Sequence, residues 1–333
     1  MTAVLEGALS VGETVYRLGL AAVDKAYRSK WLKTHALPVQ VVSVGNLTWG
    51  GTGKTPMVIQ LAEGLSGMGR SVAVLTRGYG EDEARLLTER LAPIPVLVDP
   101  DRVASGQKAV DAFGADLLLL DDGYQQWRLK KDLDILMVDA SAPFGNGHLI
   151  PRGILREPVS AASRAGLIVI KDGGETPERL VKAEIEVRAV NKAAPIFFAR
   201  YKPARLVRWR SAEELPLTEI RKRRICSLAG IARPEQFEAT LSRIGAQIGL
   251  KVRVGDHHPY SAGELIRILS RAKRHGIQTV VTTAKDAVRF PSLLLETLGL
   301  ELKGMEILVL EVILEFEPNE SQLLHRIDSL LAR

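Results

Sequence analysis

The chain of 333 residues holds a single cysteine, Cys226, set in the apolar run ICSLAGI. One thiol excludes a disulfide framework and a cysteine cluster for zinc, and a reducing compartment is the simplest reading. No uninterrupted apolar run reaches the roughly 18 residues needed to cross a bilayer, and the N-terminus lacks the basic-then-apolar order of a secretory signal. Internal repeats and low-complexity tracts are absent as well. What is present is the composition of an ordinary folded protein, 46% hydrophobic and 25% charged. At roughly 150 residues per domain this length suggests two domains. Lysine and arginine number 45 against 39 acids, a net charge of +6 that favours anionic partners of any kind: nucleic acid, acidic lipid or phosphorylated metabolite.

Residues 1–36 read as helical and amphipathic. Leu9, Val15, Leu18, Leu20, Ala22 and Val23 are interrupted by Glu13, Arg17 and Asp24, and Lys25, Arg28, Lys30 and Lys33 make a basic end. From Val39 the pattern changes to short continuous apolar runs, VQVVSVGN, SVAVLTRG, IPVLVD, ADLLLLDDG, LDILMVDA and AGLIVIKD, separated by helical spacing at Met57 to Met68 and Arg102 to Phe113. Such runs with helices between them predict a parallel sheet covered on both faces. A boundary is expected near 190–212, where KAAPIFFARYKPARLVRW reads as a pair of linking strands. Beyond it RICSLAGI, LKVRVGDHH, QTVVTTA and MEILVLEV read as strands of a second α/β unit, with PEQFEATLSRIGA and a segment from Ser261 as helices. Ser261 with Glu264 fits a capping box. The predicted division is 1–36, an amphipathic N-terminal segment; 37–200, a P-loop domain; and 201–333, a smaller α/β domain closing over the cleft.

The stretch Val42 to Pro56, VSVGNLTWGGTGKTP, carries the chemistry. Gly53-Lys54-Thr55 satisfies the end of the Walker pattern, and Thr48 stands where its first glycine belongs. Gly50, Gly51 and Gly53, with Thr52 between them, let backbone N–H groups turn toward phosphate. Lys54 reaches the β/γ-phosphates, and Thr55 offers a hydroxyl to Mg²⁺ at a helix N-terminus. Pro56 suits the first helical turn, where its missing N–H costs nothing. LLLLDDG then places Asp121 and Asp122 at the carboxyl edge of a buried strand, where one of them is expected to hold Mg²⁺ directly or through water. Asp139 is a rival for that role. A GTPase needs Asn-Lys-x-Asp after a strand, which neither NKAA at 191 nor TAKD at 283 supplies. The extra lysine of the dimeric P-loop ATPases is replaced by Trp49.

These segments resemble the tetraacyldisaccharide 4′-kinases of lipid A biosynthesis. The likeness runs through SVGNLTWGGTGKTP, LTRGYG, DRVASG, LLLLDDGYQQWRLKKDLDIL, FGNGHLIPRGILREP, SLAGIARPEQF, GDHHPYS and TTAKDAV, in the family's order and over nearly the whole chain. The chain departs from the family's pattern in a shortened connection between RGYG and the Asp82-Glu83 pair, with Glu81 for glycine and Ala84 for proline. Gln126 stands for the usual histidine, and Arg152 where alanine is commoner.

The resemblance implies transfer of the γ-phosphate of ATP, with Mg²⁺, to a hydroxyl of a membrane-held acylated disaccharide. It makes Asp82 the base, His257 its partner from the other domain across the cleft, and Glu83 a helper at the metal. Arg77, Tyr79 and Arg156 are candidates for the substrate phosphate, each arginine equally placed for a salt bridge to a neighbouring acid. Lys285-Asp286 reads either as a nucleotide-side or interdomain feature or as a strand-end charge pair. The expected partners are the lipid-linked disaccharide and the cytoplasmic surface of the inner membrane, reached peripherally through residues 1–36, which read otherwise as a helix packed on the sheet; no nucleic acid and no obligate protein partner is expected. Two other classes fit a P-loop: a nucleotide-dependent binding or regulatory protein, and a kinase of a soluble metabolite.

Overall fold

The computed structural model describes residues 2–78, 81–291 and 304–332. The chain divides into two compact units, residues 1–79, 87–201 and 314–333 in the first, and residues 80–86 and 202–313 in the second.

In the first unit, strands β1 (Gln40–Gly45), β2 (Val72–Thr76), β3 (Val96–Val98), β4 (Leu117–Asp121), β5 (Leu133–Asp139), β6 (Leu167–Asp172) and the start of β7 (Ile196–Arg208) lie in the order β7-β6-β5-β1-β4-β2-β3. All the pairings along this order are parallel. The unbroken apolar runs have the expected cause. Leu117 and Leu119 pack into one layer and Leu118 and Leu120 into the other, so both faces of β4 are covered. One layer is α2 (Lys54–Gly67), backed by α9 (Glu320–Leu331), the last helix of the chain. Gln60 of α2 is buried yet satisfied: its side chain donates to the Leu314 carbonyl at 2.8 Å and accepts from the Leu314 N–H at 2.9 Å.

In the second unit β9 (Arg224–Ala229), β10 (Gln247–Arg253), β11 (Thr279–Thr283) and the start of β12 (Glu306–Glu317) pair in parallel in the order β10-β9-β11-β12. Helices α6 (Pro234–Ile244) and α7 (Ala262–Arg274) cover this sheet. Ser261 caps α7 as expected, accepting from the Glu264 N–H at 3.2 Å, but the Glu264 carboxylate turns to His258 and the box is half made.

Three expectations differ from what is found. The stretch read as two linking strands is one strand, β7, whose 13 residues are divided between the units after Tyr201. Residues 314–333 pack into the first unit, because the apolar face of α9 completes the layer over α2. The N-terminal helix, α1 (Thr2–Arg28), ends eight residues early, and Lys30 adopts a left-handed φ of 60° just beyond it.

Helix α1 also docks in an unusual way. Beside the apolar contacts of Tyr16 and Leu20 its inward side carries a polar anchor: Glu13 is buried and accepts from the Leu149 N–H at 3.2 Å and from Arg17 at 2.9 Å, with His148 at 3.2 Å and Arg152 at 3.5 Å. The Tyr16 hydroxyl donates to the Arg156 carbonyl at 2.9 Å, and a Cβ on Gly12 would lie 2.8 Å from Pro151. Leu5, Val11, Val15 and Leu18 are each more than 60% exposed.

Candidate active site

Strand β1 delivers the glycine loop, and the adjacent strand β4 delivers Asp121, Asp122 and Gly123. The two strand ends meet closely. A Cβ on Gly45 would lie 2.6 Å from the Tyr124 Cβ and 2.8 Å from its backbone nitrogen, so only glycine lets this turn approach. Tyr124 is itself fixed, fully buried, with its hydroxyl on the Ala161 carbonyl at 2.8 Å and the Arg164 guanidinium 4.0 Å above its ring.

Beyond β1 the loop is stitched to residues 154–156. The Trp49 N–H donates to the Ile154 carbonyl at 2.6 Å and the Arg156 N–H to the Leu47 carbonyl at 2.7 Å, and Thr48 bridges Leu155. Gly53 caps α2 with φ 91°, a left-handed conformation that glycine takes without strain, and α2 begins at Lys54. Lys54 extends to Asn46 Oδ1 at 3.3 Å and Asp122 Oδ1 at 3.6 Å.

Arg156 holds Asp122 through two parallel bonds of 2.8 Å and also donates to the carbonyl and side-chain oxygens of Asn46. Burial works against ionisation of Asp122, but Arg156 and Lys54 outweigh it and hold the carboxyl below its usual range. Asp122 has φ 52°, in the left-handed region that Asp tolerates better than most residues. Asp121 is buried and receives the Thr76 hydroxyl at 3.3 Å. Asp139, the rival metal carboxylate, is engaged by Lys171 at 3.1 Å and by the N–H and hydroxyl of Ser141 at 3.0 and 2.5 Å. Around Asn46 and the loop, the buried Thr52 Oγ1, Gln125 Oε1 and Arg156 Nε have no hydrogen-bond partner among the described residues. Buried polar atoms in native proteins are nearly always paired, so this capacity fits a polar ligand.

Arg77 is exposed just past β2. Arg102, which sequence reasoning left without a role, is buried, and burial pushes its guanidinium down to about 10 while Asp121 pulls the other way. Its placement inside DRVASG was the available signal. Tyr79 lies outside the described residues.

The second unit brings together Asp82, Glu83 and His257. The expectation that His257 meets Asp82 from another domain is corrected: residues 80–86 belong to the second unit, where two hydrogen bonds seat Asp82. His257 Nδ1 donates to Asp82 Oδ2 at 3.0 Å, and Arg289 Nε donates to the same oxygen at 2.9 Å. Lys285 donates to His257 Nε2 at 3.1 Å, which fixes the tautomer with its proton on Nδ1. Lys285 also faces Glu83 and Asp256, each at 3.5 Å. Burial raises the pKa of Asp82, yet its contacts with His257 and Arg289 more than offset it and leave the carboxyl below its ordinary value. His257 has φ 57°, and with Asp122 it is one of two non-glycine residues among the described candidates in the left-handed region. Backbone strain of this kind clusters at functional sites.

A profile of the tetraacyldisaccharide-1-P 4′-kinase family matches residues 5–83 and 81–332. A tetraacyldisaccharide 4′-kinase of Anaeromyxobacter dehalogenans (strain 2CP-C) is 39% identical over 322 residues, covering 90% of this chain and 85% of its own. One of Syntrophus aciditrophicus (strain SB) is 37% identical over 311 residues, covering 84% and 83%. Among solved structures, LpxK from Aquifex aeolicus in complex with ATP superposes with a TM-score of 0.74 at 25% identity, covering 98% of this chain and 99% of its own.

Proposed function

Because the chain belongs to the tetraacyldisaccharide-1-P 4′-kinase family, we propose a division of labour among its residues for that family's reaction. The enzyme is an ATP-dependent kinase of lipid A biosynthesis that phosphorylates the 4′-hydroxyl of a tetraacylated glucosamine disaccharide 1-phosphate. A sugar hydroxyl is a poor nucleophile at neutral pH, so transfer needs in-line positioning, neutralised phosphate charge and a proton acceptor.

The loop from Thr48 to Thr55 wraps the nucleotide phosphates with backbone N–H groups, and Lys54 meets the β- and γ-phosphates. Thr55 with Asp121 and Asp122 offers the hard oxygen donors that Mg²⁺ takes, and the residues fit that ion. When bound, it spreads the charge of the transferring group. Arg156 and Asn46 keep Asp122 and Lys54 in place, which makes Arg156 an anchor of the site rather than a substrate clamp. Glu83, which the resemblance puts at the metal, is instead assigned to Lys285. Arg77, exposed just past the end of β2, is assigned to the substrate phosphate.

Asp82 takes the hydroxyl proton and His257 holds it for that task. The observation that carries this reading is the 3.0 Å bond between them. Labelled ATP and acylated disaccharide 1-phosphate in detergent micelles test it. Asp82→Asn and His257→Gln should each lower kcat by about 10²–10⁴. ATP KM should barely change, and the double variant should be little worse than the worse single one. Wild-type turnover by a folded Asp82→Asn enzyme refutes the assignment and moves the base to Asp121 or Asp122.

Among the described residues no helix is long and apolar enough to cross a membrane. We assign the exposed apolar side of α1, with the basic residues at its end, to the cytoplasmic surface of the inner membrane, where it brings the enzyme to a lipid substrate.

A further inference from the structure

We propose that Arg289 is the positioning residue of the proton acceptor: it fixes the Asp82 carboxylate so that Oδ1 receives the proton of the sugar hydroxyl. The proposal rests on Asp82 being the acceptor, and what carries it is the way the second unit is built around Arg289.

Asp82 lies in the first turn of α3 (Glu81–Leu91), close behind the shortened connection. A carboxylate there has two free side-chain torsions, and a base must be held close to its productive geometry. Arg289 supplies the constraint. Its Nε lies 2.9 Å from Asp82 Oδ2, and both side chains are more than nine-tenths buried. Its Nη1 donates to the Gly230 carbonyl at 3.3 Å and faces Asp286 at 3.5 Å.

Asp286 is fully buried, and its carboxylate accepts four further bonds: two from the Gly230 N–H at 3.0 and 3.1 Å, one from the Tyr260 hydroxyl at 3.0 Å and one from the Thr283 hydroxyl at 2.6 Å, while its own N–H donates to Thr283 Oγ1 at 3.1 Å. A Cβ on Gly230 would lie 2.8 Å from Asp286 Oδ1, so that glycine is needed for the contact. Gly230, Tyr260 and Thr283 come from SLAGI, HHPY and TTAKD, three segments far apart in sequence that share this one buried carboxylate. The cluster seats Asp286, Asp286 seats Arg289, and Arg289 seats Asp82.

Both donors to Asp82, Arg289 Nε and His257 Nδ1, converge on Oδ2, and Oδ1 takes neither. In the transfer step the hydroxyl oxygen forms the new P–O bond, the bond from the γ-phosphorus to the bridging oxygen of ADP breaks, and the hydroxyl proton passes to Oδ1. Oδ2 remains bonded to its two donors throughout.

The test measures kcat and KM of the full-length enzyme carrying Arg289→Met, Arg289→Lys or Arg289→Ala, in the wild-type and Asp82→Ala backgrounds. Arg289→Met should lower kcat by roughly 30–100-fold, the scale of a misplacement of about 1 Å, with ATP KM within about twofold. Arg289→Lys should recover part of the loss, and millimolar guanidinium should partly rescue Arg289→Ala. In the Asp82→Ala background Arg289→Met should cost less than about threefold, since residues acting as a unit are non-additive. A purely structural arginine would keep its full cost in the Asp82→Ala background. Wild-type kcat in Arg289→Met, or an undiminished loss in the Asp82→Ala background, overturns the proposal while leaving an essential Asp82 as the acceptor. Full turnover by Asp82→Ala overturns both. If Arg289→Met does not fold, the lysine variant and the guanidinium rescue decide.

Discussion

Adding one methyl group at Gly45 tests the account of the cradle. The new Cβ would sit 2.6 Å from the Tyr124 Cβ and 2.8 Å from its nitrogen, whereas carbon atoms pack at about 3.5–4.0 Å. Something must retreat by roughly 1 Å. Tyr124 cannot do so cheaply, because its hydroxyl is bonded to Ala161 and its ring is covered by Arg164. Gly45→Ala should therefore cost about 1–3 kcal/mol, the usual range for overpacking. At about 2–4 °C per kcal/mol, Tm should fall by several degrees. The larger effect should be on rate. Asp122 lies two residues before Tyr124 and Lys54 nine residues after Gly45, so the retreat misplaces both, and about 1 Å of misplacement costs on the order of 10²-fold in kcat. Gly51→Ala is the control, since a Cβ there meets nothing within 4 Å. Its unfolding midpoint should match wild type. Thermal unfolding and the labelled ATP assay read both variants, and a Gly45→Ala enzyme with unchanged Tm and kcat would refute the argument.

Lys54→Ala should abolish transfer with an unchanged circular dichroism spectrum, because it removes the cation of the cradle; measurable wild-type turnover would contradict this. Replacing Val11, Val15 and Leu18 by serine should weaken sedimentation with anionic vesicles at least tenfold, since burying each such side chain is worth about 1.5–3 kcal/mol. Unchanged sedimentation would remove α1 from the membrane assignment. Glu238 makes paired hydrogen bonds with Arg253 at 2.7 and 2.8 Å, which pull its carboxyl down to about 2. Its folded pKa is depressed, so its contribution to stability is present above an unfolded value of about 4.3 and is lost as pH falls toward 2. Urea midpoints of Glu238→Gln should lie below wild type near neutrality and converge with it in acid; parallel curves would show that the pair contributes nothing.

The parallel strands and the cradle were legible because each is a local property of sequence: an unbroken apolar run, a glycine-rich turn, an aspartate at a strand end. Helix α4 (Arg102–Phe113) has the bounds its spacing predicts, and Asp101 caps it. What could not be read depends on contacts distant in sequence. Arg156 was placed by residue type, yet its partner Asp122 lies 34 positions away. Arg289 carries no local signal, and its contact with Asp82 spans 207 positions. The return of α9 to the first unit is equally silent, since its apolar stripe fits any core.

The polar docking of α1 changes what its removal would mean. Cutting it away would take the hydroxyl off the Arg156 carbonyl and the carboxylate off the Leu149 N–H, two backbone groups in the segment that pairs with the glycine loop. A shortened enzyme would thus differ from the whole one in the wall of its nucleotide site as well as in its address. Loss of activity on truncation could not be read as loss of membrane contact alone. Substitutions on the outer side of the helix separate the two, because Gly12, Glu13 and Tyr16 stay where they are.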